Sequence, residues 1–198
     1  PSFNNFVVRD STNNVVFSDD FGTDWVDPLS PWTRRQGIWS VTNGVLQGMT
    51  APGESYAFVY YSSPAWTDYN VEGRLQFPAG AFGGGIGGRL NAANGARYSA
   101  WIYPDGSSGG SNVLKLIKFT DWTTWSLMRQ VNLSSVGTGW HTLRMAFSGN
   151  RIRVYYDGTQ IIDVTDTTSP FSNGGISVDM ATDLTNYTMS ADDIVVRS

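Results

Sequence analysis

Tight-turn dipeptides separate short alternating runs throughout this 198-residue chain. Glycine beside Asn or Asp supplies the positive-φ positions that two-residue β-hairpin turns need. Pairs of this kind between the runs are Asn43-Gly44, Asn94-Gly95, Asp105-Gly106, Gly149-Asn150 and Asp157-Gly158. The runs between them alternate apolar and polar residues with a period of two, and none keeps a helical period over three turns. The pattern predicts an all-β protein, either a sandwich or a barrel.

The amino-acid composition indicates which chemical class of ligand the chain can bind. Charged residues make up only 15% of the chain and the net charge is -4, which argues against nucleic acid, since its phosphates require a basic surface. A chain of low charge with many hydroxyl, amide and aromatic side chains suits an uncharged, hydroxyl-rich ligand. There is no cysteine, so disulfides and thiolate metal sites are excluded. No apolar run approaches the roughly 18 residues of a membrane span.

The two ends of the chain carry similar sequences. The segment from Asn4 to Ser11 resembles the segment from Ala191 to Ser198. One interpretation is chance similarity between two edge strands. The other is that residues 1–14 are a strand and joint left from a preceding homologous module, with the sandwich domain in residues 15–198. No signal peptide is visible, and Pro1 as the first residue indicates a processed or excised piece.

Several motifs occur in the order typical of one superfamily. They are Trp39-Ser40-Val41-Thr42-Asn43-Gly44-Val45-Leu46, Trp140-His141-Thr142-Leu143-Arg144, Tyr156-Asp157-Gly158 and Asp192-Asp193-Ile194-Val195-Val196. From Val16 onward the chain resembles the concanavalin A-like superfamily, in particular laminin G-like carbohydrate-binding modules of bacterial secreted proteins. The resemblance implies a two-sheet antiparallel jelly roll. It also implies an extracellular, monomeric module that binds a polysaccharide or other glycan and is linked covalently to neighbouring domains.

The resemblance further implies a structural Ca²⁺ where the first and last strands meet. Asp20 at the start of the domain and Asp193 at its end would supply carboxylates, and the turn at Gly44 would supply a carbonyl oxygen. Calcium takes six to eight oxygen ligands of these kinds. The alternative is that the acidic pairs are solvated residues at strand ends.

A candidate binding face combines polar residues from successive predicted strands. Glu72 and Arg74 alternate with apolar residues in one segment, Arg89 follows in the next, and Arg97, Trp101 and Tyr103 alternate in the third. If these strands are neighbours, the polar residues share one face, and the resemblance implies that the concave outer sheet is the glycan groove. Sugars are held by aromatic platforms and charge-assisted hydrogen bonds. The alternative is an ordinary solvent face with cross-strand ion pairs.

Tryptophans in two loops offer a rival site. One set is Trp122 with Trp125, and the other is Trp32 beside Arg34 and Arg35. Exposed tryptophan clusters often mark contact surfaces, although packing under a long loop explains them equally well.

Motifs for catalysis are missing from the sequence. Glycosidases need two carboxylates across the sugar, and the Glu-x-Asp-x-x-Glu pattern of this superfamily is absent. The only histidine, His141, lies between core positions of a strand, with no carboxylate beside it in sequence. We therefore expect a non-catalytic carbohydrate-binding module. Two alternatives stay open: a hydrolase or lyase using Glu72 with Asp68 or Glu54, and a structural or adhesion module of a tandem array.

Overall fold

The computed structural model describes residues 14–22, 27–183 and 185–198. These residues form β-strands joined by turns and loops. In chain order the strands are β1 (Val15–Asp19), β2 (Thr33–Gln36), β3 (Ile38–Thr42), β4 (Val45–Met49), β5 (Tyr56–Tyr61), β6 (Asn70–Gln76), β7 (Gly83–Leu90), β8 (Arg97–Tyr103), β9 (Val113–Phe119), β10 (Trp125–Asn132), β11 (Trp140–Ser148), β12 (Arg151–Tyr156), β13 (Thr159–Thr165), β14 (Gly175–Ala181) and β15 (Met189–Arg197). Nowhere in these ranges is there a helix of the length and apolar character that a membrane crossing requires.

The strands form two antiparallel sheets. The first sheet has the order β13-β12-β11-β6-β15-β4-β3, with β1 paired to β15 beside this path. The second sheet has the order β10-β9-β8-β7-β14-β5-β2. The predicted all-β, two-sheet antiparallel sandwich is confirmed.

Two of the predicted turns show why the dipeptides matter. Asn43 (φ 53°) and Gly44 (φ 76°) join β3 to β4, and Asp157 (φ 46°) and Gly158 (φ 79°) join β12 to β13. Two successive positive φ angles match the twist of a β-hairpin, and Asn, Asp and Gly adopt them at the lowest cost. These turns fix the register of the hairpins and therefore which residues face the core.

The core lies between the two sheets. From the first sheet, β6 contributes the buried Val71 and Leu75, while from the second, β8 contributes Tyr98, Ala100 and Ile102. Burying one such apolar side chain is worth about 1.5–3 kcal/mol, so the alternation along each strand decides which of its faces turns inward.

The second sheet is buried on both faces at its centre. Every residue of β7, β8 and β14 is buried, although an antiparallel sheet of a sandwich commonly leaves one face to water. A second apolar cluster accounts for this, with Trp101, Tyr103, Ile117 and Phe119 packed on the face turned away from the core. We call this the outer face of the second sheet.

The first strand of the described domain, β1, pairs with the last strand, β15. Asn14 and Ser198 exchange two backbone hydrogen bonds of 3.1 Å, and β1 continues along β15 from there. Residues 1–13 lie outside the described ranges, so the tail of a preceding module stays a prediction.

Candidate functional site

Glycines of β7 form a channel along the middle of the outer face. Gly85 lies opposite Trp101 of β8 on one side and opposite Asp179 of β14 on the other. A Cβ at Gly85 would fall 1.7 Å from a backbone oxygen, and one at Gly87 would fall 2.3 Å from Ser177 Oγ. The backbone of β8 at Gly85 and the side chains of Ser177 and Arg97 at Gly87 therefore approach β7 so closely that only glycine fits there.

A buried ion pair crosses this channel. Arg97 Nε lies 3.0 Å from Asp179 Oδ2, and both side chains have no solvent exposure. Arg97 Nη1 also donates to Gly95 O at 2.8 Å. Aromatic rings cover the guanidinium, whose carbon is 3.9 Å from the centroid of Phe119 and 4.8 Å from that of Phe58. Loss of either partner would leave an uncompensated buried charge.

The ion pair orients a tryptophan through a serine. Ser99 Oγ donates to Asp179 Oδ2 at 2.7 Å and accepts from Trp101 Nε1 at 2.9 Å. The indole N–H is thereby satisfied inside the sheet, and Trp101 itself is 2% exposed, with its ring lining a pocket on the outer face. A buried tryptophan whose N–H has a partner adopts one orientation, so the chain of contacts presents a fixed ring.

A pocket of about 90 Å³ opens in front of Trp101. Six aromatic rings, two small hydroxyl side chains, Ile117 and Ala181 surround it. The lining residues are Ser55, Tyr56, Phe82, Trp101, Tyr103, Ile117, Phe119, Trp125, Ala181 and Thr182. Burial raises the pKa of Tyr103, whose phenol stays neutral at physiological pH. The pocket is uncharged and suits the C–H face of a neutral ligand.

Side chains from strands near the two opposite edges of the second sheet meet above this pocket. Trp125 Nε1 donates to Tyr56 OH at 3.3 Å, although Trp125 begins β10 and Tyr56 begins β5. Five strand spacings separate these strands, which is about 24 Å in a flat sheet. Two aromatic side chains cannot span that distance, so the sheet curves around the pocket. Trp125 remains 46% exposed, which leaves its ring available to a ligand.

The prediction that one face carries all six candidate residues is wrong. Glu72 and Arg74 belong to β6 of the first sheet, whereas Arg97, Trp101 and Tyr103 belong to β8 of the second sheet. The two sets therefore point away from each other on opposite sides of the sandwich. Trp101 and Tyr103 share the outer pocket, and their ligand role stays a prediction.

Glu72 and Arg74 take part in ion pairs on the first sheet. Arg74 Nη2 lies 2.7 Å from Asp192 Oδ2, and Arg74 Nε lies 2.8 Å from Asp193 Oδ2 without the alignment of a hydrogen bond. Arg197 Nη1 lies 3.6 Å from Glu72 Oε1. The interpretation as a solvent face with cross-strand ion pairs fits these two residues.

Arg89 is an internal anchor instead of a ligand contact. Its side chain is 1% exposed. The Nη1 atom donates to Gly149 O and Phe171 O, both at 2.7 Å, while Nη2 donates to Asp68 Oδ1 at 3.1 Å. The guanidinium also lies over the Phe147 ring at 4.9 Å. The predicted glycan contact at Arg89 is therefore wrong, because loop oxygens at one end of the sandwich already accept hydrogen bonds from its guanidinium. Arg97 is buried in the same way.

The rival tryptophans separate into two kinds. Trp32 is a core residue, 5% exposed, whose Nε1 donates to Asp19 Oδ2 at 2.8 Å. Burial raises the pKa of Asp19. Trp122 packs on Phe58 and Tyr60 over the second sheet, and its loop continues into Trp125. The set of Trp122 and Trp125 thus belongs to the outer face with Trp101.

The predicted calcium ligands lie near one end of the first sheet. The β1–β15 ladder ends just before Asp20 and just after Asp193, and a Cβ at Gly44 would lie 4.0 Å from Asp20 O. Asp193 is already compensated by Arg74. In the ranges that the structure describes, no cluster of three or more His, Cys, Asp or Glu side chains could hold a metal. A calcium ion would thus depend on backbone carbonyl oxygens, and the site stays a prediction.

The carboxylates considered for catalysis have separate structural roles. Glu54 Oε2 accepts from Gly37 N at 3.0 Å, and Asp68 Oδ1 accepts from Gly149 N at 2.9 Å. Glu72 lies in the ion pairs of the first sheet. A catalytic sugar site would need two of these three carboxylates on one face, where both could reach the same sugar.

His141 has a carboxylate neighbour that its own strand does not reveal. Its Nδ1 lies 2.8 Å from Asp157 Oδ2 and 2.7 Å from Tyr156 OH, and its Nε2 lies 2.7 Å from Val136 O. Asp157 comes from the β12–β13 turn. Since both ring nitrogens are engaged, the group fastens the segment between β10 and β11 to the sandwich.

Sequence reasoning missed Asp179, and it placed Ser99 on the strand face of Trp101 without revealing its role. Both alternate with buried apolar residues in their strands, and this parity is the signal that places them on the outer face. The glycine run of β7 is visible in the sequence and indicates close backbone approach, but no local pattern shows that β7 lies between β8 and β14. The contact is therefore visible only when the strand order is known.

Comparisons with known proteins give the family. A model of the 3-keto-alpha-glucoside-1,2-lyase-like domain matches residues 17–189. The chain belongs to this family. No curated protein matches it.

Solved structures give the fold. The carbohydrate-binding module CBM66 from Bacillus subtilis has a TM-score of 0.68 and 19% identity, over 84% of this chain and 95% of that one. The laminarinase catalytic domain from Thermotoga maritima has a TM-score of 0.68 and 11% identity, over 93% and 98%. A Bacillus licheniformis β-glucanase has a TM-score of 0.64 and 11% identity, over 95% of this chain and 99% of that one. The concanavalin A-like jelly roll is confirmed.

Proposed function

We propose that the chain is a non-catalytic carbohydrate-binding module that holds a neutral part of a polysaccharide against the outer face of the second sheet. Trp125 would supply the exposed stacking surface, with Trp101 and Tyr103 lining the pocket beside it. The observation that carries the proposal is the chain of contacts from Asp179 through Ser99 to the Trp101 indole. It fixes a pocket-lining ring in advance, so little conformational entropy is lost when a sugar binds in front of it.

The chemistry of the pocket supports binding over cleavage. Glycoside hydrolysis needs two carboxyl groups roughly 5–10 Å apart across the scissile bond. The lining residues are aromatic, aliphatic or hydroxyl-bearing. The nearest buried carboxylate, Asp179, is neutralised by Arg97 beneath the floor. Stacking and hydroxyl contacts are what these side chains offer.

A catalytic function is the second candidate, because the family description names a lyase and the likeness extends to a laminarinase domain and a β-glucanase. The carboxylates that the sequence offers for it are Glu72 with Asp68 or Glu54. Release of reducing or unsaturated sugar by the wild-type chain, with loss of that release in Glu72→Gln, would favour this candidate over binding alone.

Affinity electrophoresis through gels containing neutral polysaccharides tests the proposal. We expect at least one gel to retard the wild-type chain and Trp125→Ala to weaken that retardation. Ile38→Ala is the matched control, because Ile38 is also 46% exposed but lies on β3 of the first sheet. Equal retardation of the two variants and wild type would contradict the site. No retardation in any gel would favour a structural module of a tandem array.

We further propose that the module acts outside the cell, as a monomer within a larger polypeptide. Its low charge and its likeness to a carbohydrate-binding module support this context. Size-exclusion chromatography with light scattering checks the monomer, with a mass near 21.7 kDa expected for these residues. A mass near twice that value would contradict it.

A further inference from the structure

A row of uncharged polar side chains crosses the outer face of the first sheet. Ser190 of β15 lies directly opposite Gln76 of β6 on one side and opposite Gln47 of β4 on the other. The row continues to Ser40 of β3 beyond Gln47 and to Trp140 of β11 beyond Gln76. Directly opposed residues in neighbouring strands have side chains about 5 Å apart, so five strands contribute to one line of groups.

An open depression of about 340 Å³ lies over the middle of this row. Its lining residues are Gln47, Gln76, Phe77, Pro78, Thr138, Thr188 and Ser190. Gln76 Nε2 donates to Thr138 O at 2.9 Å, which holds the wall formed by the segment before β11. Among the described residues, the side chains of Gln47, Thr188 and Ser190 make no hydrogen bond to the protein, so their donors and acceptors are open to a ligand.

The chemistry of the depression selects the class of ligand. Amide and hydroxyl groups donate and accept hydrogen bonds without charge, which matches the hydroxyl groups of a neutral sugar. The nearest charges, Arg74 with Asp192, neutralise each other in the adjacent row. Arg74 also holds the Trp140 ring, with its guanidinium carbon 5.1 Å from the ring centroid. An oriented indole therefore stands at one end of the uncharged row.

We propose that this depression is a second glycan site, which binds a neutral sugar unit through Gln47, Gln76 and Ser190. It lies on the opposite sheet from the Trp101 pocket and shares no residue with it. The second site therefore does not depend on the function proposed above. With both sites occupied, one module would join two glycan chains, or two parts of one chain, and gain avidity without new contacts.

Nuclear magnetic resonance of ¹⁵N-labelled protein tests the second site. The probes are three neutral tetrasaccharides: laminaritetraose, maltotetraose and an inulin-type fructotetraose. We expect at least one probe to shift the side-chain amide signals of Gln47 and Gln76 along a saturable curve. In the double variant Gln47→Ala/Ser190→Ala, the Gln76 shift should need at least tenfold more probe.

Two controls separate this site from the Trp101 pocket and from a general loss of structure. Gln160→Ala removes an exposed amide from β13 of the same sheet and should leave both curves unchanged. The double variant should leave the Trp101 indole signal and its titration curve unchanged. If no probe shifts the Gln47 and Gln76 amides up to about 10 mM, the second site is wrong, whatever Trp101 does. A Gln76 curve unaltered by the double variant would also overturn it.

Discussion

Each sheet carries an Arg–Asp ion pair, and the two pairs differ in their exposure to solvent. On the second sheet, Arg97 and Asp179 are both fully buried and lie beneath aromatic rings. On the first sheet, Arg74 pairs with Asp192 while its side chain stays 42% exposed. The difference comes from the neighbours: glycines of β7 let Arg97 and Asp179 lie flat, and Phe119 and its aromatic neighbours cover them. A cross-strand ion pair therefore supports a ligand platform on one face and remains a surface feature on the other.

The largest expected effect is on stability, and it compares the two ion pairs directly. Asp179→Ala leaves Arg97 buried without its counter-ion, so we expect a loss of about 3–5 kcal/mol in the free energy of unfolding. Asp192→Ala leaves Arg74 exposed and near Asp193, so about 0–1 kcal/mol is expected. For a chain of this length, Asp179→Ala should lower Tm by on the order of 10 °C. Urea and thermal unfolding measure both changes.

A double substitution sharpens the same comparison. Replacing both partners by apolar residues, Arg97→Met with Asp179→Leu, removes the stranded charge and should be less destabilising than Asp179→Ala. Equal losses for Asp179→Ala and Asp192→Ala would contradict the account of the buried pair.

The next effect concerns a carboxylate that joins the two sheets. Asp166 follows β13 of the first sheet and accepts from Tyr98 OH at 2.6 Å and Lys118 Nζ at 2.6 Å, both on the second sheet. Burial alone would raise the pKa of Asp166, but the hydrogen bonds from Lys118 and Tyr98 outweigh it and lower the pKa. The stability that this carboxylate contributes is therefore present above its unfolded pKa, about 3.9, and is lost as pH falls through its lower folded pKa.

Stability measured against pH checks this assignment. Asp166→Asn should flatten the acid side of the profile below about pH 4. Asp163→Asn is the comparison, because Asp163 also has a pKa lowered by its ion pair with Arg151 but is 33% exposed on one sheet. Solvent weakens that pair, so its removal should change the slope less. Similar profiles for the two variants would show that Asp166 adds nothing by joining the sheets.

The smallest expected effect is that of calcium on the first sheet. If Asp20, the Gly44 turn and Asp193 hold the ion, calcium should raise Tm, by about 2–4 °C for each kcal/mol of linked binding. Chelator should reverse the rise, and Asp20→Asn should abolish it. An identical Tm with chelator and with excess calcium would remove calcium from the account of this sheet.

Much of the fold was predictable because it depends on local pattern. Alternation and the Asn43-Gly44 and Asp157-Gly158 pairs specify strands and hairpins without reference to distant residues. The resemblance to concanavalin A-like proteins then selected the sandwich over the barrel. Trp101 and Tyr103 were also assigned to one strand face by parity alone.

The errors in the site arose where strand order decides the answer. β6 and β7 follow each other in the chain but enter different sheets, so Glu72 was placed beside Trp101 when it lies on the far side. Parity gives the face of a strand and not the sheet to which the strand belongs. Arg89 was misjudged for another reason: its positive φ of 53° turns the side chain into contacts that alternation does not foresee. Asp179 was missed because its partner is 82 residues away.

The indole N–H signals of the protein test the central claim most directly. During titration with a polysaccharide that retards the protein in a gel, we expect the signals of Trp101 and Trp125 to shift along one saturable curve. The signals of Trp32 and Trp39, whose N–H groups donate to Asp19 and Gln36 O, should stay in place. Saturable shifts that leave Trp101 and Trp125 unmoved would contradict a glycan site on the outer face of the second sheet.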